Sequence, residues 1–165
     1  MRFLDSHFRT RILSYLFQCS LATGAISLIL FMLNLLTYPG LVSALGATVF
    51  IVFTLPHTFT AQNRVLIGGY AIGIVICIFF SFLSDLFVLP ATGYNGFDIL
   101  FGGLAVGTTT LLMVATDTEH PPAVGIALSL IIKPWNLYTI GTILLFVSIL
   151  ALVRMLLSPI MINLR

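Results

Sequence analysis

Charged side chains are spaced so unevenly along this chain that the gaps between them dictate where it can fold. After Arg11 there is none until Arg64, and residues 65–84, 99–116 and 134–153 carry none. An uncharged apolar run of about 18 residues or more matches the roughly 30 Å hydrocarbon core of a bilayer. Hydrophobic residues make up 59% of the 165 and charged residues 7%, against roughly 45–50% and about 25% in soluble domains. A soluble globule, a disordered chain, a disulfide scaffold and a collagen-like rod are thereby excluded. So is a nucleic-acid binder, because the seven Lys and Arg are scattered and form no basic stripe. The chain reads as an all-α integral membrane protein forming one transmembrane domain over residues 1–165, with the lipid bilayer as its main partner.

Six hydrophobic helical segments are expected, at about 12–36, 41–55, 65–88, 99–116, 122–132 and 138–157. The first follows Arg2, Arg9 and Arg11 and is about twice the length of a secretory apolar region, so it reads as a retained span. Thr37-Tyr38-Pro39-Gly40, the stretch 90–98 and Lys133-Pro134-Trp135-Asn136 read as turns or loops, with Trp135 and Tyr138 as aromatic anchors at headgroup depth. The second and fifth segments are short or broken. A long, short, long pattern given twice, with three segments per half, is what a 3+3 inverted repeat would produce. A loose echo supports it: Gly46 and Thr48 before His57, and Gly107, Thr108 and Thr109 before His120. With six crossings, Arg2, Arg9, Arg11, Arg64, Arg154 and Arg165 fall on one side and Lys133 on the other. That bias predicts an inner (plasma) membrane protein with both termini cytoplasmic.

Gly69 with Gly73, and Gly103 with Gly107, sit four apart and give smooth faces for close helix packing. Cys19 and Cys77 lie within apolar runs and read as buried thiols. Chemistry concentrates where apolar segments break, at residues 56–64 and 118–123. A proline cannot donate a backbone hydrogen bond and pushes the residue before it out of helical geometry. His120 is therefore expected to be extended, with Pro121 or Pro122 opening the next helix. A helix N-terminus carries unpaired N–H groups and partial positive charge that favour an anion. His57, Thr58, Gln62, Asn63, Arg64, His120, Pro121 and Pro122 are thus the candidate substrate-binding residues, and Arg64 is the only cation between Arg11 and Lys133. The plainer reading of 56–64 is a loop in which Arg64 meets lipid phosphate. Asp117 and Glu119 are read as helix-junction caps ahead of proton carriers.

The same residues resemble those of the HPP family of integral membrane proteins, named for a motif that stands here as His120-Pro121-Pro122. The resemblance extends over Gly46-Ala47, Pro56-His57, Ala61-Gln62, Arg64 and Ile67-Gly68-Gly69, in the same order and at similar separation. The chain departs from that pattern at Asn63, Val65, Tyr70 and Val124. What the resemblance implies is a transporter or channel for a small monovalent anion, nitrite being the best single candidate; no cofactor is implied, and 165 residues are few to surround a path, so a homo-oligomer is expected. Two other classes stay open: a structural or sensory membrane subunit, and an intramembrane enzyme using Asp117, Glu119, His57 and His120. The enzyme lacks the His-Glu-x-x-His, Cys-x-x-Cys and Gly-x-Ser-x-Gly spacings.

Overall fold

The computed structural model describes residues 10–33, 39–87, 96–132 and 135–164. It is all helical: α1 (Ile12–Leu33), α2 (Pro39–Thr54), a 3-10 turn (Phe59–Ala61), α3 (Asn63–Phe87), α4 (Gly96–Ala115), α5 (Pro121–Ile132) and α6 (Leu137–Leu157). Helices α1, α3 and α6 are long and apolar enough to cross a membrane, whereas α2, α4 and α5 contribute shorter apolar stretches. Several boundaries differ from the sequence expectation. Pro39-Gly40 has the composition of a loop, but it forms the first turn of α2, because a proline at the first helical position loses no hydrogen bond. Likewise α3 begins two residues early, at Asn63, and α4 takes in residues 96–98. The rest of the expected turns at 34–38, 88–95 and 133–134, together with Arg2, Arg9, Lys133 and Arg165, lie outside the described residues.

Polar contacts sort the helix ends into two groups. At one end, Arg64 at the start of α3 reaches the chain leaving α4, and Arg154 at the close of α6 reaches the chain leaving α2. Residues 158–164 fold back over the same end, where the Ile162 and Leu164 backbone bonds to Gln18 of α1 and Thr54 of α2. This is the arginine end, and both the start of α1 and residues 158–164 lie there. At the opposite end, Trp135 Nε1 donates to Ser81 Oγ at 3.1 Å, tying the α5–α6 turn to α3.

The helices in contact are α1 with α2 and α6; α2 with α5 and α6; α3 with α4, α5 and α6; and α4 with α5. Exchanging α1 with α4, α2 with α5 and α3 with α6 maps this set onto itself. Each exchanged pair also runs in opposite directions. That is the geometry of a 3+3 inverted repeat. It revises the loose echo read from sequence: the repeat pairs α2 with α5, so Gly46 and Thr48 on α2 are not equivalents of Gly107, Thr108 and Thr109 on α4. Nor are the histidines equivalent, since His57 follows α2 and His120 precedes α5. The residue matching Pro121 is Pro39, each the first of its helix.

Lipid tails are as apolar as leucine, so helices in a membrane are held by close packing and polar contacts more than by hydrophobic burial. The surface agrees: Phe31, Phe79, Phe82, Ile99 and Leu137 all point outward. Ile126, Leu130, Ile143, Phe146 and Leu150 fill the centre with Leu45, Val52 and Phe53. The close packing of α3 against the α4–α5 junction and α5 depends on glycine. A Cβ on Gly73 would lie 2.8 Å from the Ala123 carbonyl oxygen, and one on Gly69 would lie 2.8 Å from His120 Cβ. Gly69 and Gly73 thus form the smooth face expected of them, a trough in α3 that receives residues 118–123. At Gly103 and Gly107 a Cβ would meet nothing within 4 Å, so that pair faces outward.

Candidate functional site

The two polar interruptions meet at the arginine end. Helix α4 closes with the Thr118 N–H donating to the Met113 carbonyl at 2.9 Å, a reach that needs a left-handed residue just before it. Asp117 supplies that residue with φ 50°, a conformation aspartate tolerates better than most side chains. The chain then turns inward along the α3 trough, because Gly68 and Gly69 leave room for Thr118 and His120. Asp117 therefore acts at the helix junction through its backbone conformation.

His120 ends fully buried between α2, α3 and the 3-10 turn. Its Nδ1 lies 3.0 Å from the Thr60 carbonyl oxygen, which can only accept, so Nδ1 carries a proton. Its Nε2 lies 3.0 Å from Thr48 Oγ1, itself 2.6 Å from the Tyr70 hydroxyl. The Tyr70 ring stands 5.5 Å from the imidazole, centroid to centroid. Thr48 and Tyr70 are additions to the site residues read from sequence. The signal that could have found them is a hydroxyl in the middle of an otherwise apolar helix, where a polar group needs a partner.

Pro121 opens α5, as expected. The consequence for anion binding is the reverse of the expected one. Two of the N–H groups that a helix start leaves free are missing here, because residues 121 and 122 are prolines. The Ala123 N–H is taken by the His120 carbonyl at 2.9 Å. Helix α5 therefore has a dipole but few donors.

Helix α3 has the donors instead. Its first backbone bond of this kind is Leu66 N–H to the Gln62 carbonyl at 2.8 Å, and the N–H groups of Asn63, Arg64 and Val65 have no partner among the described residues. Beside them, Asn63 Oδ1 is buried with no hydrogen bond. Turning that amide over would present Nδ2 at the same place without changing its shape. Arg64 Nη2 donates to the Thr116 and Asp117 carbonyls at 2.8 and 3.3 Å. Carbonyl oxygens hold a guanidinium in position without cancelling its charge. Gln62 is exposed at the same corner.

The remaining candidates are placed elsewhere. Thr58 Oγ1 donates to the Leu55 carbonyl at 2.8 Å, a local turn contact. His57 is exposed and belongs to the chain's closing segment: its N–H donates to Asn163 Oδ1 at 3.1 Å, and its Nε2 lies 2.9 Å from the Met161 carbonyl. His57 and His120 thus engage different partners, Met161 and Asn163 for one, Thr48 and Thr60 for the other. A cavity of about 300 Å³ lies between α4 and the start of α5, bordered by Thr110, Met113, Val114, Glu119, His120, Pro121 and Val124. Among the described residues no three His, Cys, Asp or Glu side chains converge as a metal site would require.

A family model described as "HPP, transmembrane region" matches residues 7–164. The chain belongs to the HPP transmembrane family. The match takes in all six helices, so the HPP fold is the whole bundle just described and the His-Pro-Pro motif is the α4–α5 junction at its arginine end. No curated protein and no solved structure matches the chain.

Proposed function

We propose that this HPP protein passes a small monovalent anion across the membrane, with nitrite as the first substrate to test. The observation that carries the reading is the start of α3, where three N–H groups and an Arg64 guanidinium stand together, the N–H groups with no partner and the guanidinium bonded only to carbonyl oxygens among the described residues. Free amides and an uncancelled charge replace an anion's hydration at little reorganisation cost. Asn63 and Gln62 complete the mouth, and the path continues past the α4–α5 junction toward His120. The exposed Gly103–Gly107 face of α4 supports self-association, since small residues let a second copy's backbone approach closely. Arg11, Arg64 and Arg154 share one end, which supports a cytoplasmic placement for that end in the inner (plasma) membrane.

The test is flux into liposomes containing the purified protein and an anion reporter, comparing nitrite, nitrate, formate, chloride and a cation. Nitrite is expected to enter at least about tenfold faster than into protein-free vesicles, a difference worth about 1.4 kcal/mol. Equal rates for every solute would instead leave a structural or sensory subunit. Sidedness has its own test. A cysteine at Gln62 is expected to react with a membrane-impermeant maleimide only after cells are opened; labelling of intact cells would reverse the orientation.

A further inference from the structure

We propose that His120 is a proton-binding site wired in advance, in which the Thr48 hydroxyl turns between two acceptors so that the imidazole can gain a proton without any heavy atom moving. In the neutral state the bonds run one way. Tyr70 donates to Thr48 Oγ1, Thr48 donates to His120 Nε2, and His120 Nδ1–H donates to the Thr60 carbonyl. When Nε2 takes up a proton it becomes a donor, and Thr48 must accept from it. The displaced Thr48 proton has a place to go, because the Ala44 carbonyl lies 3.1 Å from Oγ1 on the same helix. Thr48 then accepts from Tyr70 and His120 and donates to Ala44, which fills its hydrogen-bonding capacity. Every buried polar atom of the group is satisfied in both states, and only one hydroxyl hydrogen rotates. A merely structural histidine needs one such arrangement; this one has two.

Among the described residues no carboxylate is ion-paired with the imidazole, although Glu119 borders the same cavity as His120. From α2 comes only the Thr48 hydroxyl, and from α3 the Tyr70 phenol, with Arg64 farther out on the Thr116 and Asp117 carbonyls. Helix α4 contributes uncharged Met113, which borders the same cavity. The 3-10 turn contributes the Thr60 carbonyl, while His57 is bonded to Met161. The junction itself carries Asp117, which is exposed, and Glu119, which is half-buried and lines that cavity. A buried positive charge is costly unless a negative one comes with it. The second ion, on the reading given above, is the transported anion, so that proton and anion cross together with no net charge.

The site is tested by nitrogen NMR of protein labelled with ¹⁵N-histidine in lipid nanodiscs, titrated from about pH 8 to about pH 2, because burial lowers the His120 midpoint well below that of a free imidazole, with no transported anion present. The signals of His120 are identified against those of His7 and His57 by their loss in His120→Gln. Nδ1 is expected to stay protonated throughout while Nε2 alone changes from acceptor to donor. Thr48→Val, which removes the rotating hydroxyl, is expected to lower the midpoint by about one unit, the difference between a charge-assisted and a neutral hydrogen bond. Thr48→Ser is expected to restore it. Titration at Nδ1, no titration at Nε2, or a midpoint unmoved in Thr48→Val would each overturn the site. Coupling is read separately, as nitrite flux under an inward-directed proton gradient. The parent is expected to speed up and Thr48→Val to lose that response; an equal response in both overturns the coupling and leaves the titration result standing.

Discussion

Gly73→Ala is expected to lower stability by about 2–3 kcal/mol, toward the upper end of what one added methyl costs in a packed interior. The new Cβ would sit 2.8 Å from the Ala123 carbonyl oxygen. A flexible side chain could swing aside, but this neighbour is backbone in the first turn of α5. Relief would require α5 to shift as a body, dragging with it the His120 junction and its bonds to Thr48 and Thr60. Gly141→Ala on α6 is the control, because a methyl there meets nothing within 4 Å and lies away from the Gly103–Gly107 face. It is expected to be neutral, or to stabilise by up to about 1 kcal/mol through helix propensity. Thermal unfolding of both variants in the same detergent checks the pair. Equal midpoints would mean that α3 and α5 are not in backbone contact.

The second large effect is on flux. Arg64→Ala is expected to cut anion entry about 10- to 100-fold, the size expected when one hydrogen bond between a charged group and its partner is lost. Arg64 also ties α3 to the end of α4, so a loss of flux alone would not separate binding from folding. Arg64→Lys separates them. It keeps the charge, but its shorter side chain ends short of the Nη2 position from which arginine donates to both carbonyls. Both variants are expected to melt lower by a similar amount, whereas Lys retains most of the flux and Ala does not. Flux that tracks the melting midpoint in both would make Arg64 a clamp only. Because Arg64 is exposed, the parent's advantage is also expected to shrink as ionic strength rises.

Much of the bundle is readable in the sequence because a bilayer imposes one strong rule on it. Gaps between charges, divided by proline- and glycine-containing turns, mark six apolar segments, and three segments per half point to the inverted repeat. Helix starts are harder. Pro39-Gly40 has the composition of a turn, and only the helix that follows decides that it is a first turn. The His-Pro-Pro junction stands out for its broken geometry, yet its prolines delete the donors that an anion would use, while the free ones lie at Asn63, Arg64 and Val65. His57 and His120 look alike in sequence because each adjoins a proline. Their difference is tertiary: one meets the closing segment and the other the α3 trough, and no local pattern encodes which. Thr48 and Tyr70 lie 22 residues apart on separate helices, so their pairing needs the fold.

Gln18 of α1 is buried in the bundle, and its whole amide is occupied. Its Nε2 donates to the Phe53 carbonyl of α2 and, at 2.9 Å, to the Ile162 carbonyl, while its Oε1 accepts from the Ile162 N–H at 3.2 Å. Phe53 is synthesised soon after Gln18, but Ile162 follows it by 144 positions. During translation the first helical hairpin therefore enters the lipid with half of that amide unanswered, and it stays so until the chain has crossed back for α6. The order of synthesis makes residues 158–164 a late-arriving fastener, and biogenesis of the first helix is complete only when they have come home.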